Sequence, residues 1–184
     1  RMVIATYQSA SGAGKGGVDE VVEQTRSLFN QTDVVAKTFP YQLAFNVIPH
    51  IDSFLPDGQT KEEAKIIEEL KKMLEAPQMG ISVTAVRVPV LYGHSAAVNI
   101  ETEKEIKAQD VRELLRKSPG VVVQDDLQAK EYPLAIHAAG QDEVFVGRIR
   151  QDPSIPHGIN LWTVADNLRK GAALNAIQIA EMLL

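Results

Sequence analysis

Two runs rich in β-branched residues, "ISVTAVRVPV" (81–90) and "HSAAVNIETE" (94–103), are separated only by "LYG". Both read as strands, and no helix fits between them. Neighbouring strands in a wholly parallel sheet need long, usually helical crossovers. The order of elements therefore points to an α+β domain, with a mixed, largely antiparallel sheet and helices on one face.

The remaining elements are consistent with that class. Met2–Tyr7 reads as a strand running into the small-residue loop "QSASGAGKGG". A helix is expected over Val18–Asn30, where Val18, Val21, Val22, Thr25, Leu28 and Phe29 recur at helical spacing. Asp19, Glu20 and Glu23 near its start suit the positive end of the helix dipole. "FPYQLAFNVIPHIDSFLPDG" is apolar without a period and is punctuated by Pro40, Pro49 and Pro56, so it reads as an extended, partly buried loop and a candidate interface. A second helix is expected from Thr60 to Ala76: "TKEE" is a capping box, Ile66, Ile67, Leu70, Met73 and Leu74 form its stripe, and Pro77 closes it. Lys107–Lys117 reads as a short helix, and "VVVQDD", "DEVFVGRIR" and "INLWTVA" as strands. "DNLRKGAALNAIQIAEMLL" reads as a last helix with Leu168, Ala172, Asn175, Ile179 and Met182 on one face.

With 184 residues, 45% hydrophobic and 23% charged, the chain is long enough for one domain with a real core. Its net charge is −5 and no basic block occurs, which argues against a nucleic-acid partner. No apolar run reaches bilayer-spanning length and no signal-peptide pattern opens the chain, so a soluble, cytoplasmic protein without a membrane partner is expected. Cysteine is absent, which excludes a disulfide, a cysteine-ligated metal and a cysteine nucleophile in this chain. No pair of histidines has ligand spacing, and no metal is expected. "RMVIATYQ" opens directly in an apolar run without an initiator methionine, which reads as a fragment or truncated chain; a short trimmed tail is the blander explanation.

Three stretches carry candidate chemistry. In "TYQSASGAG" (6–14), a strand enters a loop with Gly12 and Gly14 that can offer backbone N–H groups to an anion; small residues also simply permit a tight turn. Gln8, at the strand's end, is placed either to orient a polar substrate or to satisfy backbone groups. In "KEEAK" (61–65), Glu62 and Lys65 are neighbours on one helix turn, suited to an amino group and an anion respectively, or to a solvated ion pair worth a few tenths of a kcal/mol, about 0.2–0.5. In "AVRVPVLYGHS", Arg87 shares a strand face with Val83 and Ala85. A cation there is costly unless it is paired or aimed at a ligand. His94, seven residues on, would face the other way on a straight strand, but Pro89 and Gly93 suggest a break or bulge that returns both to one pocket. A structural salt bridge and a strand-end histidine are the competing account. His50 and His137 sit in apolar neighbourhoods and read as structural, and His157 as a turn residue. Asp166–Asn167 are placed to cap the last helix, with Arg169 and Lys170 solvated, and Asp125–Asp126 read as strand end or surface.

Taken together and in order, "TYQSASGAG", "FNVIPHID", "DGQTKEEAK", "VRVPVLYGHSAAVNIE", "VFVGRIRQDPS" and "NLWTVADNLRKGAALNA" resemble the C-terminal half of bacterial-type aspartate-semialdehyde dehydrogenase, over essentially the whole chain. The resemblance implies a fold like the C-terminal domain of glyceraldehyde-3-phosphate dehydrogenase. It implies that residues 1–184 form a single substrate-binding and dimerisation domain, with an N-terminal NADP-binding domain and the nucleophilic cysteine upstream of Arg1. The family reduces L-4-aspartyl phosphate with NADPH to L-aspartate 4-semialdehyde and phosphate, on the route to lysine (via diaminopimelate), threonine, methionine and isoleucine. By motif, Gln8 matches the glutamine that positions the substrate, Glu62 the carboxylate for its amino group, Lys65 a phosphate-binding lysine, and Arg87 the arginine for its carboxylate. His94 matches the acid–base histidine, and Ser11, Gly12 and Asn167 match positions that contact NADP.

A thiol, a base and cations are what reducing an acyl phosphate through a thioester requires. This chain has the histidine and the cations but no thiol, so it is expected to be inactive alone and not to bind NADP tightly. Uncovered apolar surface around residues 6–17 and the last helix suggests a homodimer. A non-enzymatic dimerisation module and the related N-acetyl-glutamyl-phosphate reductase are the alternatives; "TKEEAK" and "NLRKGAALNA" fit the aspartate enzyme better.

Overall fold

A computed structural model of the chain describes residues 1–183. It contains one six-stranded sheet: β1 (Met2–Gln8), β2 (Ile81–Arg87), β3 (His94–Glu101), β4 (Val121–Val123), β5 (Val144–Asp152) and β6 (Gly158–Ala165), in the order β2-β1-β3-β6-β5-β4. β1–β2 and β4–β5 are parallel; β1–β3, β3–β6 and β5–β6 are antiparallel. The sheet is mixed, as the element order implies. What the order does not show is that β2 and β3, only six residues apart, are not partners. β1 lies between them, and residues 88–93 cross its end, tied to it by Val88 N–H to Gln8 O (3.0 Å), Ala10 N–H to Val90 O (2.7 Å) and Ser11 N–H to Leu91 O (3.1 Å).

Residues directly opposite in neighbouring strands share a face. On one face Val146, Ile149 and Ile159 form a core under helix α3 (Ala108–Arg116), which contributes Ala108, Val111 and Leu115. Helix α2 (Lys61–Met73) meets the same side at the β2 edge. There Ala85 N–H donates to Glu63 (2.9 Å), while Ile48 exchanges two backbone bonds with Arg87 (2.8 and 3.0 Å), so the edge strand's free groups are covered. The opposite face carries Tyr7 and Trp162, whose rings lie 5.3 Å apart, and is partly crossed by the segment holding α4 (Ala135–Ala138), an element the sequence pattern does not reveal.

Several boundaries differ from expectation. Helix α1 spans Gly14–Phe29 after a 3-10 turn at Ala10–Ala13, so the glycine-rich stretch is helical rather than loop. The reason is packing: Gly17 lies so close to the Ala10 carbonyl that a Cβ would come within 2.5 Å, and the small residues let the helix press onto the turn. The earlier start removes Asp19, Glu20 and Glu23 from the first turn and rotates the buried face to Gly17, Glu20, Val21 and Gln24, leaving Val22 and Phe29 exposed. Glu20 accepts from the N–H groups of Lys37, Thr38 and Phe39, and Gln24 from those of Leu43 and Ala44. These bonds hold the 39–58 loop, which buries Leu43, Ala44, Ile48 and Ile51 and exposes Tyr41, Phe45, Val47 and Phe54.

Helix α2 stops at Met73 rather than Ala76, with Leu74 as its C-cap, and Met73 and Leu74 are exposed instead of packed. Strand β4 is three residues long because the chain turns away after Val123. Asp125 is not at the surface: its buried carboxylate pairs with Arg112 at 2.7 Å. The last helix begins as a π-turn, Arg169–Ala173, and continues as α5 (Leu174–Glu181). Its residues expected on a packed face are largely exposed, Leu168, Ile179 and Met182 among them, and Leu184 lies outside the described residues. Arg169 and Lys170 are not simply solvated: they bond Asp142 and Gln178. Among the described residues no helix is long and apolar enough to cross a membrane.

Candidate active site

The ends of β1, β2 and β6 and the start of β3 meet at one end of the sheet. Gln8 stands opposite Arg87, Tyr7 opposite Ser95, and His94 opposite Ala165, so Gln8, Arg87 and His94 leave the sheet on the same face. A bulge within one strand is not what unites Arg87 and His94. The strand ends at Arg87, the chain reverses over the end of β1 with Gly93 at φ +87°, and a new antiparallel strand starts at His94. All eight residues singled out in the sequence, Gln8, Ser11, Gly12, Glu62, Lys65, Arg87, His94 and Asn167, line one cleft of ≈ 640 Å³.

Arg87 is 7% exposed, yet its guanidinium makes one hydrogen bond, Nη1 to the Ser9 carbonyl at 2.8 Å, and among the described residues no carboxylate lies within ion-pair distance of it. Burial lowers its pKa from the ordinary value and the nearby Glu62 charge opposes that. The competing account, a structural salt bridge, therefore fails for this arginine. A buried guanidinium with unused donors in a cleft is suited to a carboxylate ligand. Gly12 is what lets it sit there: a Cβ at Gly12 would lie 2.6 Å from Arg87 Nη1 and 3.2 Å from His94 Nε2.

Gln8 Nε2 donates to Glu62 Oε1 at 3.0 Å, and Lys65 Nζ stands 3.8 Å from Glu62 Oε2. Glu62 and Lys65 form the ion pair that their spacing allows, and both line the cleft. Lys65 is largely exposed, so the pair itself contributes little stability.

His94 Nδ1 lies 3.1 Å from Ser9 N and 3.0 Å from Ser9 Oγ. A backbone N–H can only donate, so when Nδ1 accepts that bond the neutral ring carries its proton on Nε2, toward Gly12 and the cleft. Burial, then the Arg87 charge, push the His94 pKa down to about 4, with Asp166 opposing. Asn167 does not cap the last helix. Asp166 does, through Leu168 N–H (2.7 Å) and Arg169 N–H (3.1 Å), while its other oxygen takes Gly140 N–H (2.6 Å). Asn167 Oδ1 instead accepts from Ser9 Oγ, Ser11 Oγ and Gly93 N–H at 3.0–3.1 Å.

Ser9, Asp52 and Asp166 complete the site and were not singled out as chemistry in the sequence: Ser9 and Asp166 touch or charge His94, and Asp52 lines the cleft. Their only signal is position, next to Gln8, within "PHID" and next to Asn167. His50 stacks on Phe54 at 4.3 Å, and His157 is in a turn; His137 is exposed on α4 rather than in an apolar setting. Among the described residues no group of three or more His, Asp or Glu is placed to hold a metal ion.

The family profile for the semialdehyde dehydrogenase dimerisation domain matches residues 1–170. An aspartate-semialdehyde dehydrogenase of Legionella pneumophila is 53% identical over 184 residues, covering 100% of this chain and 53% of the relative. One from Aquifex aeolicus is 50% identical, covering 100% and 54%. Among solved structures, aspartate semialdehyde dehydrogenase II of Vibrio cholerae, complexed with ASA, superposes with a TM-score of 0.96 at 47% identity, covering 100% of this chain and 54% of that one. The chain spans about half the length of the curated relatives it matches.

Proposed function

The chain belongs to the semialdehyde dehydrogenase dimerisation-domain family, and from that premise we propose that it is the substrate-binding and dimerisation part of a cytoplasmic, NADP-dependent aspartate-semialdehyde dehydrogenase. The reaction is L-4-aspartyl phosphate plus NADPH and a proton, giving L-aspartate 4-semialdehyde, phosphate and NADP. The observation that supports this most is Arg87, a buried cation without a carboxylate partner among the described residues, in one cleft with a carboxylate, a lysine and a histidine.

Each group has a role that fits its surroundings. Arg87 binds the substrate's α-carboxylate as a fork. Glu62, already holding the Gln8 amide, turns to the substrate ammonium, which frees Gln8 to orient the reacting carbonyl. Lys65, exposed and charged at the rim, takes the phosphate. His94 presents Nε2 to the reacting oxygen, donating a hydrogen bond to the carbonyl in one direction and taking the hydroxyl proton of the hemithioacetal in the other. NADPH, when bound, would supply the hydride, and Ser11, Gly12 and Asn167 would hold its nicotinamide end. Asn167 suits this because its Oδ1 is fully engaged while its amide nitrogen has no partner among the described residues.

This 184-residue polypeptide has no cysteine. The acyl thioester needs a thiol from elsewhere in the parent protein, so this chain alone is inactive. The sheet face with Tyr7 and Trp162, which neither α2 nor α3 covers, suits a homodimer. In the full-length enzyme, Arg87→Lys keeps the charge but loses the fork. It should raise KM for the semialdehyde at least about tenfold, the cost of one lost charge-assisted bond. An unchanged KM would remove Arg87 from the substrate site.

A further inference from the structure

We propose that Ser9 and Asn167 are positioning residues that let the His94 imidazole exchange tautomers, so that its cleft-facing Nε2 is a hydrogen-bond donor in one form and a proton acceptor in the other. The use of that exchange in catalysis rests on the reading of His94 as the acid–base group; the exchange itself does not.

The backbone and side chain of Ser9 present opposite partners to the same ring nitrogen. Its N–H, 3.1 Å from Nδ1, can only donate, and this holds the form protonated on Nε2. Its hydroxyl oxygen, 3.0 Å from Nδ1, can accept, and this supports the form protonated on Nδ1 at the cost of the bond from the Ser9 N–H. Acceptance is possible only if the hydroxyl hydrogen goes elsewhere. Asn167 Oδ1, an acceptor with no proton of its own, stands 3.1 Å from Ser9 Oγ and takes it. Ser11 Oγ, 3.0 Å from Ser9 Oγ, ends on the same oxygen at 3.1 Å, and Gly93 N–H fixes that oxygen at 3.0 Å. Ser9 is fully buried, so no water competes for these bonds.

The proton count is simple. With Nδ1 protonated, Nε2 has a free lone pair and can take a proton from a substrate hydroxyl. The resulting imidazolium keeps its Nδ1–H on Ser9 Oγ. With Nε2 protonated, the ring donates to a carbonyl oxygen. Exchange needs the ring to swing off Ser9, so that Nδ1 as well as Nε2 meets water in the open cleft; the ring then loses its proton from one nitrogen and regains one on the other, and no proton leaves Ser9 or Asn167. A histidine held only by the backbone N–H would be confined to the second form. The charged groups around the ring are Arg87 from β2 and Asp166 from the end of β6; Glu62 and Lys65 of α2 and Asp52 of the 39–58 loop line the same cleft. None of them bonds Nδ1.

The test uses this chain itself, labelled with 15N at the histidine rings, and reads the His94 tautomer and pKa by NMR. Ser9→Ala removes the acceptor and keeps the N–H: His94 should become wholly Nε2-protonated, with its pKa lowered by about half a unit or more. Asn167→Asp adds a charge behind the hydroxyl and should move the pKa up by about one unit. Asn167→Ala, a second route to the same loss, should act as Ser9→Ala does. A merely structural tie between β1, β3 and β6 would alter stability and leave these signals in place. Tautomer and pKa unchanged in both alanine variants would overturn the proposal. In the full-length enzyme Ser9→Ala should lower kcat with KM retained; a lost tautomer with unchanged kcat would instead overturn the acid–base role of His94.

Discussion

His94 is neutral because of where it is, and that has a cost in acid. Burial and the Arg87 charge hold its pKa at about 4, below the ordinary 6.5. Between those values the unfolded chain takes up a proton that the folded chain refuses. The stability contributed by the neutral ring is therefore complete above about pH 6.5 and is lost as pH falls toward 4. Glu20 and Asp166 behave differently. Burial raises their pKa values, but the N–H groups that each accepts outweigh it and hold both below the ordinary carboxylate range. Their losses come at lower pH. Urea titrations of this chain at stepped pH should show a decline of about 2–3 kcal/mol at most between pH 6.5 and 4. His94→Gln should flatten that interval and leave the steeper loss below pH 4 intact; a decline of equal size in the variant would show that the ring is not the group refusing the proton. At this scale the sequence is partly legible. Arg87 stands out because a cation in an apolar strand needs a reason. Ser9 does not, because a serine in a small-residue loop carries no mark of the ring beside it.

The positions of Glu62 and Lys65 are set by one helix terminus. Thr60 Oγ1 accepts from Glu63 N–H at 3.2 Å, and Glu63 Oε2 accepts from Thr60 N–H at 2.7 Å. The same Glu63 carboxylate reaches Ala85 N–H on β2, so the capping box also fastens helix to sheet. Thr60→Ala should cost about 1 kcal/mol, as a lost cap does. Glu63→Ala should cost more, about 2–3 kcal/mol, because it also strands a buried strand N–H. Chemical denaturation of the two variants checks the order, and equal losses would mean that the link to β2 carries no weight. The cap was readable from "TKEE" because it depends on four consecutive residues. The start of α1 was not, because glycines weaken a helix in isolation and only the contact of Gly17 with the 10–13 turn shows why they belong in one. The anchoring roles of Glu20, expected only to suit the helix dipole, and of Gln24 leave no mark in the sequence for the same reason: their partners, the N–H groups of Lys37, Thr38, Phe39, Leu43 and Ala44, follow the helix in a segment without a period.

At the scale of the molecule, the sheet order decides what the site is. Strand periodicity alone would send Arg87 and His94 to opposite faces, and Pro89 and Gly93 suggest a break or bulge, of which the break is what is found. The actual cause is β1, inserted between two strands that are consecutive in sequence, and such long-range pairing leaves no local trace. The mixed sheet was legible in the absence of a helix between the 81–90 and 94–103 runs, and the cleft's membership in the family motifs. The insertion of β1, the hydroxyl cluster behind His94 and the short α4 were not. The resulting cleft brings together two cations, a carboxylate and a neutral histidine, and the chain holding it has no thiol. The central claim is that these groups are one part of a dehydrogenase whose nucleophile lies on another part. The most direct measurement is phosphate-dependent reduction of NADP by aspartate semialdehyde, using this chain alone and then mixed with a separately folded NADP-binding half carrying the cysteine. The account predicts no turnover from this chain alone and turnover from the pair; turnover by the 184-residue chain alone, or none from a pair shown to associate, would contradict it.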